Sequence, residues 1–205
     1  MSNSFLDVGA SRTRADMLEE TRIKLLDAAR DHFGEYGYAD TSMDDLTASV
    51  GLTRGALYHH FGGKSGLLAA VVDALDTELD ARLTELIAGE PDPLTALDKR
   101  CRADLELSSR PDIQRILFQD APSVLGRTVD ATNSHCVASM TSLLTAAQTQ
   151  DLITPDVSAH SLAVLINGAL IDASCWIAAA PKGEQARRRA DTLTAISTLI
   201  RALRV

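Results

Sequence analysis

The sequence has few of the residues that cross-link a chain or interrupt its helices. Of 205 residues only three are cysteine and six are proline, and aromatic side chains make up 4% of the chain. Cys101, Cys136 and Cys175 are odd in number and widely spaced, which excludes a disulfide framework and the close cysteine pairs of a zinc site. We therefore expect reduced, buried thiols in a cytoplasmic protein that has no metal and no cofactor.

Long hydrophobic runs are also missing. No stretch approaches about 18 uninterrupted apolar residues, so we expect no membrane span. Residues 1–11 lack a basic region followed by an apolar run, so no secretory signal is predicted. The small and polar residues 1–14 predict a disordered N-terminal tail.

Acidic residues are missing from one part of an otherwise acidic chain. The net charge is −8, and 28 residues are acidic. No acid occurs between Thr47 and Val72, whereas Arg54, Lys64 and two histidines lie in that stretch. An acidic protein with one acid-free stretch can present a local anion-binding face, while the remainder repels non-specific DNA.

Apolar residues recur at helical spacing along the chain, and no alternation typical of strands is present. The pattern predicts an all-α fold of about nine helices, over residues 15–36, 43–50, 53–60, 64–88, 94–107, 112–119, 128–150, 158–179 and 184–203. The clearest break is the Gly89–Pro93 segment. We predict a helix-turn-helix domain over 15–63, a long connecting helix over 64–88, and an effector-binding and dimerisation domain over 89–205.

The third predicted helix carries the side chains that suit DNA. If Leu57 and Phe61 face the core four residues apart, the opposite side presents Thr53, Arg54, Gly55, Tyr58 and His59. An arginine there can reach a guanine edge or a phosphate, and a tyrosine hydroxyl can donate to a phosphate. Lys64, at the start of the next helix, adds an anion site.

The surrounding residues resemble a known family. Ala28-Ala29, Phe33, Gly37-Tyr38, Thr41-Ser42, Gly51-Leu52-Thr53, Gly55-Ala56-Leu57-Tyr58-His59-His60-Phe61, Lys64 and Leu67-Leu68 keep the spacing of the N-terminal domain of TetR/AcrR regulators over about residues 20–70. The resemblance implies that the third helix enters the major groove. It makes Thr53, Arg54, Gly55, Tyr58, His59 and Lys64 the contact candidates, with Thr41 and Ser42 meeting phosphate.

One position departs from the family pattern. Thr47 stands in the second helix where the family usually carries a small alanine. A threonine there can pack its methyl group and donate its hydroxyl to a preceding carbonyl, so we expect the motif to survive.

The last two predicted helices have broad apolar faces. Because one such DNA-binding module offers few contacts, we expect a homodimer on a pseudopalindromic operator. Family members dimerise through these two helices, and the resemblance places the interface at Leu162, Ile166, Ala169, Leu170, Ala173, Leu193, Ile196 and Ile200. The alternative is that both faces are used inside one subunit.

An effector pocket is expected among the central helices, where polar groups stand between apolar neighbours. The candidates are Phe118, Gln119, Asn133, His135, Met140, Asn167, Asp172 and Trp176. His135 next to Cys136 does not indicate a metal, because adjacent helical residues point about 100° apart.

These patterns predict a non-enzymatic transcriptional regulator, a repressor released by an unknown small apolar or amphipathic effector. Its partners would be double-stranded DNA and a second copy of the chain, and not a membrane. The alternatives are a small-molecule-binding helical enzyme, and an adaptor whose DNA-binding head is silent. No paired carboxylates, nucleophilic triad or glycine-rich phosphate loop supports the enzyme.

Overall fold

A computed structural model describes residues 13–126, 134–181 and 183–205, and all regular elements within these ranges are helical. The predicted N-terminal tail therefore lies outside the described residues, apart from residues 13 and 14. Thr13 and Asp16 form a reciprocal capping box, so the first helix begins at Arg14, inside the segment predicted to be disordered.

The N-terminal part comprises α1 (Arg14–Asp40), α2 (Met43–Ser49) and α3 (Arg54–Phe61), followed by the long helix α4 (Lys64–Leu86). We call residues 14–61 the head. Gly37 has φ +82°, a conformation that side chains rarely adopt, and it kinks α1 near its end. The head is closed by one core, whose buried members include Leu25, Ala29, Phe33, Leu46, Leu57, Leu67 and Leu68.

The C-terminal part forms a second core around the helices α5 (Pro93–Leu107), α8 (Ser134–Thr149), α9 (Ala159–Ala178) and α10 (Gln185–Ala202). Between α5 and α8 run α6 (Pro111–Ile113), a π-helical segment (Gln114–Asp120) and α7 (Ala121–Leu125). Within the described residues the predicted helices thus appear close to their predicted positions, and that expected over 112–119 is largely the π-helix. Such segments are rare and often occur at functional sites. Residues 128–133 of the helix expected over 128–150 lie outside the described residues.

The π-helix joins the two parts of the molecule. Ile116 is fully buried in the head core, and Ala121 packs there as well. Arg115 Nη1 donates to the Gly34 carbonyl at 3.2 Å, and Asp120 Oδ2 accepts from the Tyr38 backbone N–H at 2.8 Å. The head is therefore completed by residues beyond position 88, where the sequence analysis divided the chain.

A group of charged side chains is buried between α4, α5 and α8. Arg100 donates to Asp80 Oδ1 at 2.6 Å, and the Ser139 hydroxyl donates to Asp80 Oδ2 at 3.0 Å. Asp76, also on α4, accepts from the backbone N–H of His135 in the first turn of α8 at 3.2 Å. Burial raises the pKa of Asp76. These contacts fix α4 to the C-terminal part of the molecule.

Helix α9 is apolar enough in length and composition to span a membrane, with a mean hydropathy of 1.6. In this fold it packs along α8 and contributes Ala163, Leu170 and Ile177 to the second core. The core helix of a soluble protein passes the same test, so composition alone does not place α9 in a bilayer.

Candidate nucleic-acid interface and effector cavity

The outer surface of α3 carries the polar residues predicted for DNA contact. Leu57 is fully buried, whereas Thr53, Arg54, Gly55, Tyr58 and His59 are exposed. The Thr53 hydroxyl caps α3 by accepting from the Ala56 N–H at 3.3 Å. The helix therefore presents an uncovered face whose small residue at position 55 lets the backbone approach a groove.

Arg54 already has a partner in the free protein. Its Nη1 lies 3.3 Å from Asp44 Oδ2 in the first turn of α2, and its guanidinium lies 6.0 Å from the centre of the Tyr58 ring. Asp44 precedes the acid-free stretch of the sequence, so the fold brings an acid to a surface that appeared purely basic. Both side chains are largely exposed, and a solvated pair of this kind is readily exchanged for a phosphate.

Two of the predicted phosphate contacts are used inside the protein. Thr41 is only 4% exposed, and its hydroxyl donates to the Gly37 carbonyl at 2.7 Å. It stabilises the kinked end of α1, so its hydroxyl is engaged inside the protein, and its contact with phosphate stays a prediction. Lys64 donates to the Ala39 carbonyl at 3.2 Å and lies 4.7 Å from the centre of the Tyr38 ring; because an ammonium group has three N–H donors, it can bind an anion while it keeps the carbonyl contact.

The two remaining features of α2 follow the sequence analysis. The Ser42 hydroxyl caps α2 by accepting from the Asp45 N–H at 3.2 Å, and the side chain is partly exposed. Thr47 is buried and donates to the Met43 carbonyl at 2.9 Å, which confirms the expected role of threonine at this position.

A cavity of about 330 Å³ lies between the π-helix, α7, α8 and α9. Its wall is mainly apolar, and Val72 of α4 also reaches it. The lining residues are Val72, Leu117, Phe118, Ala121, Pro122, Gly126, Val137, Val164, Asn167, Gly168, Ile171, Asp172 and Cys175. The volume is at the lower end of the range for small-molecule sites, and an apolar wall with a few polar groups is their usual composition.

Comparison with known proteins identifies both halves. Residues 25–71 match the family model described as "Bacterial regulatory proteins, tetR family", and residues 94–203 match "Tetracyclin repressor-like, C-terminal domain". The chain belongs to the TetR family of transcriptional regulators. This confirms the family and the all-α architecture predicted from the sequence.

The relatives agree with this assignment. A crystal structure of a TetR-family transcriptional regulator from Pectobacterium atrosepticum is 47% identical with a TM-score of 0.80, over 95% of this chain and 98% of that one. The regulator TtgR of Pseudomonas putida is 37% identical over 43% of this chain, and the repressor Rv1474c of Mycobacterium tuberculosis is 32% identical over 56% of it. The match spans about two fifths of TtgR and 66% of Rv1474c.

The cavity of this TetR-family chain contains only part of the predicted pocket set. Phe118, Asn167 and Asp172 line it, whereas Gln119 lines a separate polar cleft between the head and α9. Met140 is buried in the second core. The side chains of His135 and Trp176 are exposed on the surface, and Asn133 lies outside the described residues.

The predicted dimer residues divide between the inside and the outside of the subunit. Leu170, Ile196 and Ile200 are buried in the second core of the single subunit and offer little surface to a partner. Leu162, Ile166, Ala173 and Leu193 pack partly against that core, and Ala169 is exposed. The outward face of α9 and α10 instead carries large apolar side chains at Leu165 (70% exposed), Trp176 (50%) and Leu199 (62%).

Sequence reasoning missed several residues of the site. Leu117, Ile171 and Cys175 line the cavity but carry no polar signal that separates them from ordinary core residues. Arg115 and Asp120 form hydrogen bonds to the kinked part of α1, which lies about 80 positions earlier in the sequence. No local sequence pattern reveals such contacts. The glycine at position 37 was the available signal, because a bend there requires a partner to hold it.

Proposed function

We propose that the protein is a sequence-specific, homodimeric DNA-binding regulator, and that it represses transcription until a small molecule enters the cavity. The observation that carries this proposal is the uncovered face of α3, where Arg54, Tyr58 and His59 stand outward while Leu57 anchors the helix in the core. A recognition helix needs this combination of a rigid inner side and an exposed polar side.

The outward apolar face of α9 and α10 supports the dimer. Leu165 (70% exposed), Trp176 and Leu199 (62%) place large apolar side chains at the surface of these two neighbouring helices. Two heads joined through these helices would read two half-sites one helical turn apart. Burial of α9 against a second copy also accounts for its apolar composition in a cytoplasmic protein, without a membrane.

The route from cavity to head would use two elements. Val72 of α4 and Leu117 of the π-helix both line the cavity, and both elements also contribute to the head core. An effector that favours one arrangement of these elements shifts the population of head orientations. Moving the equilibrium from almost all bound to almost all released requires a preference of about 5.5 kcal/mol. We propose that α4 shares this task with the π-helix.

The proposal is tested by selecting binding sites from random DNA at fixed salt concentration. The wild type is compared with Arg54→Ala/Tyr58→Ala, which removes two side chains of the exposed face. Arg82→Ala is the matched control, because it removes one exposed arginine about 27 Å along α4 from Lys64. We expect the wild type and the control to enrich the same pseudopalindrome, and the double variant to enrich none.

The outcomes separate the candidate functions. Equal enrichment by the double variant would overturn the assignment of α3 as the reading helix. Enrichment of a single half-site would overturn the dimer. Failure of the wild type to enrich any sequence across a range of salt concentrations would favour the adaptor with a silent head. Turnover of a compound held in the cavity would favour the enzyme.

A further inference from the structure

The polar groups in the wall of the effector cavity are few, and Asn167 is the most buried of them. It is 5% exposed, its side-chain amide makes no hydrogen bond with any residue that the structure describes, and the amide atoms keep some accessible surface. Buried amides in proteins are almost always hydrogen-bonded, because leaving them unpaired is costly. The amide borders the cavity, so the cavity is where a partner for it can stand.

The second polar group is Asp172, which lies at the mouth of the cavity. Asp172 and Gly168 are both exposed and both line the cavity, so this side of α9 forms the entrance. The Asp172 carboxylate forms no ion pair within the described ranges. It therefore supplies a negative charge that an incoming molecule meets directly.

The described wall of the cavity offers this carboxylate no cationic partner. None of the lining residues within the described part of the chain is lysine, arginine or histidine. Two arginines do occur in the neighbouring cleft, where Arg115 and Arg189 lie behind the π-helix and not in the cavity. A carboxylate or phosphate ligand would thus enter past a like charge and find no counter-ion among the lining residues that the structure describes.

We propose that the cavity selects amines with a compact apolar body and discriminates against carboxylic acids. The apolar body would occupy the space between Leu117, Val137 and Ile171. The protonated amine would lie towards the mouth, where the Asp172 carboxylate accepts from it and the Asn167 carbonyl oxygen offers a second acceptor. This inference rests on the proposed effector-binding role and assigns the ligand class of that site.

Three probes that share one ring system test the proposal by calorimetric titration of the full chain. They are 1-naphthylmethylamine, 1-naphthalenemethanol and 1-naphthoic acid, which at pH 7 present a cation, a neutral hydroxyl and an anion on the same apolar body. We expect the amine to bind more tightly than the alcohol and the acid to bind most weakly. A tenfold or larger difference in Kd between the amine and the acid is expected at constant ionic strength.

Two variants test whether Asp172 and Asn167 produce this order of affinities. Asp172→Asn should remove the advantage of the amine over the alcohol and leave the affinity for the alcohol within about twofold. Asn167→Ala should weaken both the amine and the alcohol. Asp156→Asn is the matched control, because it removes one exposed acid from the loop before α9, away from the cavity, and should leave the order unchanged.

Several results would overturn the inference. These are equal or tighter binding of the acid, an amine advantage that persists in Asp172→Asn, and absence of binding by all three probes. The test needs no DNA, so its failure is distinguishable from failure of the regulator assignment. A wild type that enriches an operator but binds the acid best remains a regulator with a different effector class.

Discussion

Replacing Gly66 with alanine tests how closely α3 and α4 approach each other at the base of the head. Gly66 lies in the first turn of α4, and a Cβ atom at this position would stand 1.9 Å from the carbonyl oxygen of Phe61 and 3.1 Å from its carbonyl carbon. Such contacts essentially never fall below 3.0 Å, so the two helices would have to separate by about 1 Å. The obstacle is backbone, which cannot rotate away as a flexible side chain would.

The expected cost follows from two opposing effects. Alanine favours a helix over glycine by up to about 1 kcal/mol. Forcing extra volume into a packed site costs about 1–3 kcal/mol, and a clash with backbone belongs at the upper end. We therefore expect Gly66→Ala to lower the free energy of unfolding by about 2 kcal/mol. For a chain of this size that corresponds to a fall in Tm of about 4–8 °C.

The assay is thermal unfolding of the full chain followed by circular dichroism. The matched control is Gly168→Ala, a helical glycine whose added Cβ would meet no atom within 4 Å. Its Tm should stay the same or rise, because only the helix-propensity effect acts there. If Gly66→Ala unfolded at or above the wild-type Tm, the close approach of α3 and α4 would be refuted.

Two further predictions concern buried groups. Burial raises the folded-state pKa of Asp76 above its unfolded value of about 3.9, so the folded chain binds more protons and loses stability as pH rises through the raised pKa. Asp76→Asn keeps an acceptor for the His135 N–H. Its free energy of unfolding, measured by chemical denaturation, should fall less than that of the wild type between pH 4 and pH 8. An unchanged pH profile would contradict this. Ile116→Ala should lower the free energy of unfolding by about 2–4 kcal/mol, because it empties a fully buried site. Leu86→Ala is the control, since Leu86 is exposed, and it should change this free energy by less than about 0.5 kcal/mol. Equal effects would argue against burial of the π-helix in the head.

The head was predictable because its signals are local. Caps at Ser42 and Thr53, and the spacing of Leu57 within a short helix, each depend on neighbours within four residues. The internal bond of Thr41 was less predictable. Threonine and serine look alike in a cap sequence, but at the kinked end of α1 the Gly37 carbonyl accepts from both the backbone N–H and the hydroxyl of Thr41.

The dimer face and the pocket were less predictable because α9 is apolar around most of its circumference. Periodicity identifies such a helix but does not say which stripe faces its own subunit, so the buried Leu170 and the exposed Leu165 could not be told apart from the sequence. The π-helix could not be predicted from an α-helical periodicity either. Its wider turn rotates the following side chains relative to an α-helical wheel, which turns Phe118 to the cavity and leaves Gln119 in the adjacent cleft.

The burial of Ile116 in the head core restricts how this chain can be recombined with its relatives. A head exchanged at the glycine break near position 89 would lose the side chain that fills its own core, together with Arg115 and Asp120, which hold the bend at Gly37. A functional chimera must therefore carry the π-helix along with the head it came from. The residues that a head needs in order to fold are therefore not contiguous in sequence, and chimeras cut only at the domain boundary should fold poorly.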